Sequence, residues 1–443
     1  MKKYRIKKIN LNKLLLCTIG LLLIIVPLDA QTEQSFKSNG TLISDVNFDA
    51  EINTMRNRIG IPGVSIAIIE DNKVVYSQQY GWSHLEKKKP VDNETLFEAA
   101  SITKMFLVYV VNRLVDQGNM DLDTPVHQYL DYPELSYDDR YKSLTTRMLL
   151  SHTAGLENWT TENDPEKLEF VANPGSGFTY SGEAYHYLAE VVSTILGSSY
   201  EDYVEEMILK PYHLNNTYLN YGGGLFGNRV KNHHAMGYTS YRKEFEGLQN
   251  KESIPASGSH TNAKDVAQLI IHTFSGAHLS EKQQQKMLAS ETQLTFIPDT
   301  DELKFGVGLG VFLIKSEEDT ITFFSGVNTG FRSEFFYSPI TKRGFVYMSN
   351  SDEGWMMISK IDELTTQFNL RRVFKDDAFL QYPSPYFELR NIYSTEGGEK
   401  FISSVTPNNS NNIDPEVIDL LKGWLEQVDE LTFNNLLKLY SNK

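Results

Sequence analysis

Short β-rich runs lie on both sides of a long helix-rich stretch, and this arrangement restricts the fold more than any other feature of the chain. From Gly63 the sequence reads Val-Ser-Ile-Ala-Ile-Ile, then Asp71-Asn72, then Val74-Val75-Tyr76. Two β-rich runs around an Asx pair predict a hairpin. Strand texture returns at Val307–Ile314, Thr320–Phe324, Ser333–Ser338 and Gly344–Ser349, with turn residues between the runs. Residues 120–290 read as mainly helical, broken by loops such as Tyr221-Gly222-Gly223-Gly224. Together these runs predict a mixed α/β fold with one sheet built from both ends of the chain and a helical subdomain inserted between them. The 443 residues suffice for one large domain or two ordinary ones, and 40% hydrophobic against 22% charged residues argues against disorder throughout.

Both ends of the chain read differently. Lys2, Lys3, Arg5, Lys7, Lys8 and Lys13 precede the apolar run Leu14 to Pro27, and Leu28-Asp29-Ala30 offers a cleavage site before Gln31. That order is the pattern of a secretory signal peptide over residues 1–30, so the protein is expected to be exported, periplasmic or secreted. The competing reading is a retained anchor, but the run falls short of the roughly 20 residues that span a bilayer. Residues 31–45 read as a loose polar leader, 46–370 as the main domain and 371–443 as a C-terminal helical extension. In that extension Thr406–Asn412 reads as a linker, and Asp414-Pro415 starts a helix carrying Val417, Ile418, Leu421, Leu425 and Val428.

Charge and cysteine content exclude several classes. Removal of residues 1–30 leaves 36 basic and 56 acidic groups, a net charge of −20. No basic patch of the nucleic-acid type appears. Cys17 is the only cysteine and falls within the leader, so disulfides, thiol catalysis and cysteine metal sites are not expected. No cofactor is implied. His233-His234 lacks the usual zinc spacing and reads as a surface loop. Gly222-Gly223-Gly224 has no following Lys-Ser/Thr, and no Gly-x-Ser-x-Gly elbow is present.

Chemistry concentrates at Ser101-Ile102-Thr103-Lys104. The stretch opens a segment apolar on nearly every side: Ile102, Met105, Phe106, Leu107, Val110, Val111, Leu114 and Val115, ended by Gly118. This predicts a buried helix in which Ser101 and Lys104 share a face. A serine hydroxyl needs a base, and a desolvated lysine one turn away can supply it. A helix N-terminus at Ser101 adds a favourable field for a developing oxyanion. Tyr180, in the Gly-rich turn Pro174 to Gly182, can present a phenol, which ionises more easily near a cationic lysine.

These segments resemble the serine β-lactamase and penicillin-binding-protein superfamily, in the branch of class C β-lactamases, D-amino-acid peptidases and esterases. Ser101–Lys104 is similar to its first motif, and Tyr180-Ser181-Gly182 stands where the family has Tyr-x-Asn. Leu122–Val126, Thr145–Leu156 and Ala256–Thr261 with Asp265 resemble further family segments, so the likeness runs from about residue 45 to about 365. The resemblance implies a β-lactamase/transpeptidase-like antiparallel sheet flanked by helices, and a Ser101 acyl-enzyme. It also implies a proton relay through Lys104 and Tyr180, and an oxyanion hole from the backbone N–H groups of Ser101 and Val327. Ser181, Gly182, Phe324, Ser325, Gly326 and Arg332 would meet a small-molecule or peptide substrate.

Two positions depart from the family. Gly182 replaces the expected Asn, and Phe324 opens Phe324-Ser325-Gly326 where the third motif has Lys or His. Phe324 can neither donate a hydrogen bond nor carry charge. Lys342-Arg343-Gly344 follows Ser338-Pro339 and reads as a hairpin turn rather than a replacement motif. Arg332 either supplies a cation or simply supports its strand. His152 reads as a turn former. An ester, uncharged amide or D-amino-acid peptide is therefore expected ahead of a β-lactam. The alternative is a catalytically weak binding or sensor protein of the cell envelope, and no signal for oligomeric state is present.

Overall fold

The computed structural model describes residues 34–160, 167–222, 224–240, 243–276, 278–295, 297, 299–373, 384–406, 413 and 415–440. The leader departs from expectation within them. It forms a hairpin of β1 (Ser35–Ser38) and β2 (Thr41–Ser44), and Ser44 caps the helix α1 (Asp45–Ile59) by accepting the Asn47 N–H. Phe36 explains the order: it is buried against Phe48 and Tyr76, with ring centroids 5.4 and 4.6 Å away. Burying such a ring is worth about 1.5–3 kcal/mol, which supports a hairpin too small to be stable alone. The expected signal segment, 1–30, lies outside the described residues.

The Asp71-Asn72 pair forms the predicted turn, with φ of 49° and 58°. It joins β3 (Gly63–Glu70) to β4 (Lys73–His84), which continues to β5 (Lys89–Pro90). The short β6 (Phe97–Glu98) follows, then α2 (Lys104–Asp116). In the helix-rich middle, β7 (Gly237–Tyr238) pairs with β8 (Glu244–Phe245), and β9 (His260–Thr261) returns to pair with β6. The remaining strands are β10 (Thr292–Gln293), β11 (Lys304–Val307), β12 (Phe312–Lys315), β13 (Thr320–Asn328), β14 (Phe331–Ser338) and β15 (Arg343–Ser349).

Nine strands form one antiparallel sheet in the order β10-β11-β12-β13-β14-β15-β3-β4-β5, so both ends of the main domain meet at the β15–β3 seam. β3 is buried from Gly63 to Ile69, and because side chains alternate along a strand both faces must be covered. Ser65 marks one face, accepting the Ala263 N–H of the helix Ala263–Phe274 at 3.2 Å. Ile68 marks the other, opposite Tyr76, whose ring packs on Phe48 of α1. The run expected as one strand, 307–314, is two strands joined by a turn. Gly310 takes φ 87°, and a Cβ there would stand 2.3 Å from Val108 on α2. The sheet therefore turns where the buried helix comes closest.

α2 carries buried residues around its whole circumference and touches the helices Glu183–Leu196, Ala263–Phe274 and Glu281–Met287. The C-terminal helices Ser384–Glu396, Gly398–Val405, Pro415–Val428 and Glu430–Tyr440 pack together, and the first of them packs against α1. Arg390 ties them to the main domain through Glu353 at 2.9 Å and the Ser240 carbonyl at 2.7 Å. Of the expected linker only Thr406 is among the described residues, and Asp414 is outside them. Among the described residues no helix is long and apolar enough to cross a membrane.

Candidate active site

Ser101 does not begin the α-helix. It sits in the 3-10 turn Ala100–Thr103, and α2 starts at Lys104. Three residues per turn place i directly over i+3, a tighter alignment of Ser101 with Lys104 than an α-helix gives. Ala100 takes φ 46°, a left-handed conformation that costs of order 1–3 kcal/mol and survives only where neighbours over-determine it. They do so here. The Ala99 N–H donates to the Ser259 carbonyl at 2.9 Å, and the Ala99 carbonyl accepts from Ser333 Oγ at 2.5 Å. Thr103 Oγ1 accepts the Ser259 N–H at 3.1 Å.

Lys104 is completely buried, and no carboxylate lies within ion-pair distance of it among the described residues. Its Nζ donates to the Ala256 carbonyl at 2.8 Å and stands 3.5 Å from Ser101 Oγ. Desolvation lowers the amine from 10.5 to about 7, so near neutrality much of it is an uncharged base. Tyr180 Oη donates to Ser101 Oγ at 2.8 Å. Burial pushes its phenol up to about 12, outweighing the hydrogen bond to Ser101. The expectation of an easily ionised Tyr180 is thereby corrected: the same desolvation that neutralises Lys104 removes the cation that would have acidified the phenol.

His152 does more than form a turn. It takes φ 55°, its ring stacks on Tyr180 with centroids 4.3 Å apart, and Nδ1 accepts the Ser181 N–H at 3.2 Å. Ser181, expected to meet substrate, is buried; its hydroxyl donates to the Glu157 carbonyl and accepts the Ala184 N–H at the start of the helix Glu183–Leu196. Its role is local, because both hydrogen-bonding functions are taken. At Gly182 a Cβ would lie 2.7 Å from the Trp159 ring, so the indole fills the space of the missing Asn side chain. The Gly182 N–H donates to Asn158 Oδ1 at 2.8 Å.

Phe324 is buried in an aromatic stack, 4.5 Å from Phe312 and 6.5 Å from Tyr180 between centroids. Ser325 Oγ donates to the buried carboxylate of Glu334, whose desolvation raises it to about 8. From Phe324 to Asn328, β13 pairs only with β14 among the described residues, leaving its other edge toward the Ser101 turn. Gly326 permits the approach, since a Cβ would sit 2.3 Å from the Ala99 carbonyl oxygen. Val327, next along this edge, is 60% exposed. Arg332 supports its own turn. Its guanidinium pairs with Asp352 at 3.0 Å and donates to the Asn328 and Phe331 carbonyls. Lys342 lies in the turn between β14 and β15, at the far end of β14 from Ser333.

The Ser101–Lys104 segment, Tyr180 and Gly326 thus converge from three separate parts of the chain. Sequence reading missed three participants: the Ala256 carbonyl, the His152 ring and Trp159. The first two fall within segments already singled out, whereas Trp159 carried no signal at all.

A family model described as Beta-lactamase matches residues 48–363. Protein flp of Staphylococcus aureus (strain MRSA252) is 23% identical over 329 residues, covering 69% of this chain and 63% of flp, so the chain spans less than two thirds of that relative. The octameric penicillin-binding protein homologue from Pyrococcus abyssi superposes with a TM-score of 0.62 at 22% identity, covering 75% of this chain and 80% of the other. D-alanine carboxypeptidase AmpC from Burkholderia cenocepacia superposes with a TM-score of 0.56 at 20% identity, covering 70% and 94%. At these identities the solved structures share the fold.

Proposed function

The chain belongs to the beta-lactamase family, and on that footing we propose that it is an exported serine hydrolase working through an acyl-enzyme on Ser101. One observation carries the reading: Ser101 Oγ stands 2.8 Å from Tyr180 Oη and 3.5 Å from the Nζ of the buried Lys104. Neutral Lys104 takes the Ser101 proton as Oγ attacks the substrate carbonyl. Tyr180, still protonated, gives its proton to the leaving group, and Lys104 returns the first proton to Tyr180. Water then repeats the sequence in reverse to release the acid. The N–H groups of Ser101 and Val327 receive the oxyanion, and one such donor is typically worth about 2.7–4 kcal/mol in the barrier.

The substrate reading rests on Gly182, Trp159 and Phe324. An indole fills the place of a recognition amide, and an apolar ring stands where the family has Lys or His. Neither arrangement recognises a substrate carboxylate, which favours an ester or uncharged amide over a β-lactam. The same two features favour the second reading, a catalytically weak envelope protein that binds peptide. Arg332 adds little to carboxylate recognition, because Asp352 already pairs it.

Labelling by a fluorophosphonate probe and turnover of a chromogenic short-chain ester test the proposal in the wild type and in Ser101→Ala. Both signals are expected in the wild type alone, and their absence there rejects the enzyme reading. Nitrocefin and a D-Ala-D-Ala peptide, run in parallel, rank the substrates; rapid nitrocefin turnover overturns the argument from Phe324. Export predicts that protein recovered from outside the cytoplasm begins at Gln31 on N-terminal sequencing.

A further inference from the structure

His233-His234 does not behave as a surface loop throughout. The His234 side chain is only 5% exposed, and it faces Glu98 and His260, which are 1% and 0% exposed. One ligand atom from each of the three lies within 4.8 Å of the others. Both ring nitrogens of His260 and Nε2 of His234 lack a hydrogen-bond partner among the described residues. Such buried polar atoms are rare and call for an explanation.

The carboxylate raises the same question. Glu98 accepts from the Leu248 N–H on Oε1 and from Asn328 Nδ2 on Oε2 at 2.5 Å, bonds that only partly offset the burial that raises its carboxyl above the usual range. Among the described residues its sole basic neighbour within ion-pair range is His234, at 3.9 Å. Each oxygen keeps a lone pair beyond the bond it accepts. Aromatic rings wall the cluster: Tyr221 packs edge-on against both imidazoles, and Phe331 lies 5.4 Å from His234.

We propose that Glu98, His234 and His260 form a buried binding site for one divalent cation of the zinc class, with a water molecule as fourth ligand. Two imidazoles and a carboxylate suit that ion. It would take up Nε2 of His234 and one of the two orphan nitrogens of His260, and offset the charge of Glu98. Zinc bonds of about 2.0–2.2 Å place tetrahedral ligand atoms roughly 3.3–3.6 Å apart, so small side-chain rotations close the present triangle. The consequence reaches Ser101. Glu98 is separated from the nucleophile turn by Ala99 alone, His260 follows the loop whose Ala256 carbonyl holds Lys104, and Asn328 follows Val327. One ion would pin all three segments. Its role is positional, and the proposal does not depend on the hydrolase reading.

The test uses the full purified chain, stripped by a chelator and titrated with Zn²⁺ and, as a visible probe, Co²⁺. The expected result is one ion per chain by elemental analysis, the strong visible absorption of four-coordinate Co²⁺, and a rise of several degrees in Tm. Unfolding on stripping that zinc reverses also supports the site. His234→Gln and His260→Gln, verified as folded by circular dichroism, should lose the ion and the Tm rise. Absence of stoichiometric binding in the wild type, or equal binding in either Gln variant, overturns the proposal.

Discussion

Lys104 brings an amine into a site where, among the described residues, no carboxylate pairs it, and burial lowers its pKa from 10.5 to about 7. At about 1.4 kcal/mol per pH unit, holding the ammonium form there costs about 5 kcal/mol. The unfolded chain titrates this lysine near 10.5 and the folded chain near 7, so between those values the unfolded chain binds more protons. Wild-type stability therefore rises with pH across that window, and the cost is complete below it. Lys104→Met fills similar volume without charge, but leaves the Ala256 carbonyl without its donor, a loss of about 1–3 kcal/mol at every pH. The informative quantity is the change in the stability difference between variant and wild type. Linkage makes it about 5 kcal/mol in favour of methionine near pH 6 and about 2 near pH 9, before the constant carbonyl loss. Urea unfolding of both proteins from about pH 6 to about pH 9 measures it, and a contraction of about 3 kcal/mol is expected. In the same range wild-type kcat/KM for an ester should rise through about pH 7 as Lys104 loses its proton, while Lys104→Met stays inactive. A stability difference that is flat with pH refutes the reasoning, because Lys104 would then not be titrating where its burial places it.

Tyr180→Phe removes the donor to Ser101 Oγ and keeps the ring on His152, so kcat should fall by about 10²–10⁴ with stability nearly unchanged; ester kinetics beside a thermal melt separate the two effects. Gly182→Asn drives a Cβ into the Trp159 ring and should cost about 1–3 kcal/mol, a loss that Trp159→Ala in the same chain relieves. Melting the two variants and the double variant checks this; additive losses would show that the indole is not what occupies the site. Gly326→Ala meets backbone at the Ala99 carbonyl, so β13 must move off the nucleophile turn. Fluorophosphonate labelling should then slow in protein that remains folded.

Much of the fold was legible because it is written in short-range periodicity. The Asp71-Asn72 hairpin, the strand runs on either side of the helical middle and the all-round apolar α2 each depend on neighbours a few residues apart. The leader reads as loose because residues 31–45 are mostly polar, whereas Phe36, which packs it down, acts through Phe48 and Tyr76. The 307–314 run reads as continuous because Val108, which the turn at Gly310 approaches, lies far away in sequence.

The site divides along the same line. By itself the sequence determined the reactive types and their spacing: Ser101 with Lys104 one turn on, Tyr180 on a glycine-rich turn, and the two departures at Gly182 and Phe324. A side chain's identity and its neighbours in a turn are local properties, so one strand of text carries them. The tertiary structure alone decided the protonation states and the contents of the empty places. Burial lowers the pKa of Lys104, as expected of a desolvated lysine, but raises that of Tyr180, against the expected ease of its ionisation. Trp159 fills the gap at Gly182, and Glu98, His234 and His260 meet from three distant segments. Desolvation and contact depend on what the rest of the chain packs around a group, and only the folded chain specifies that.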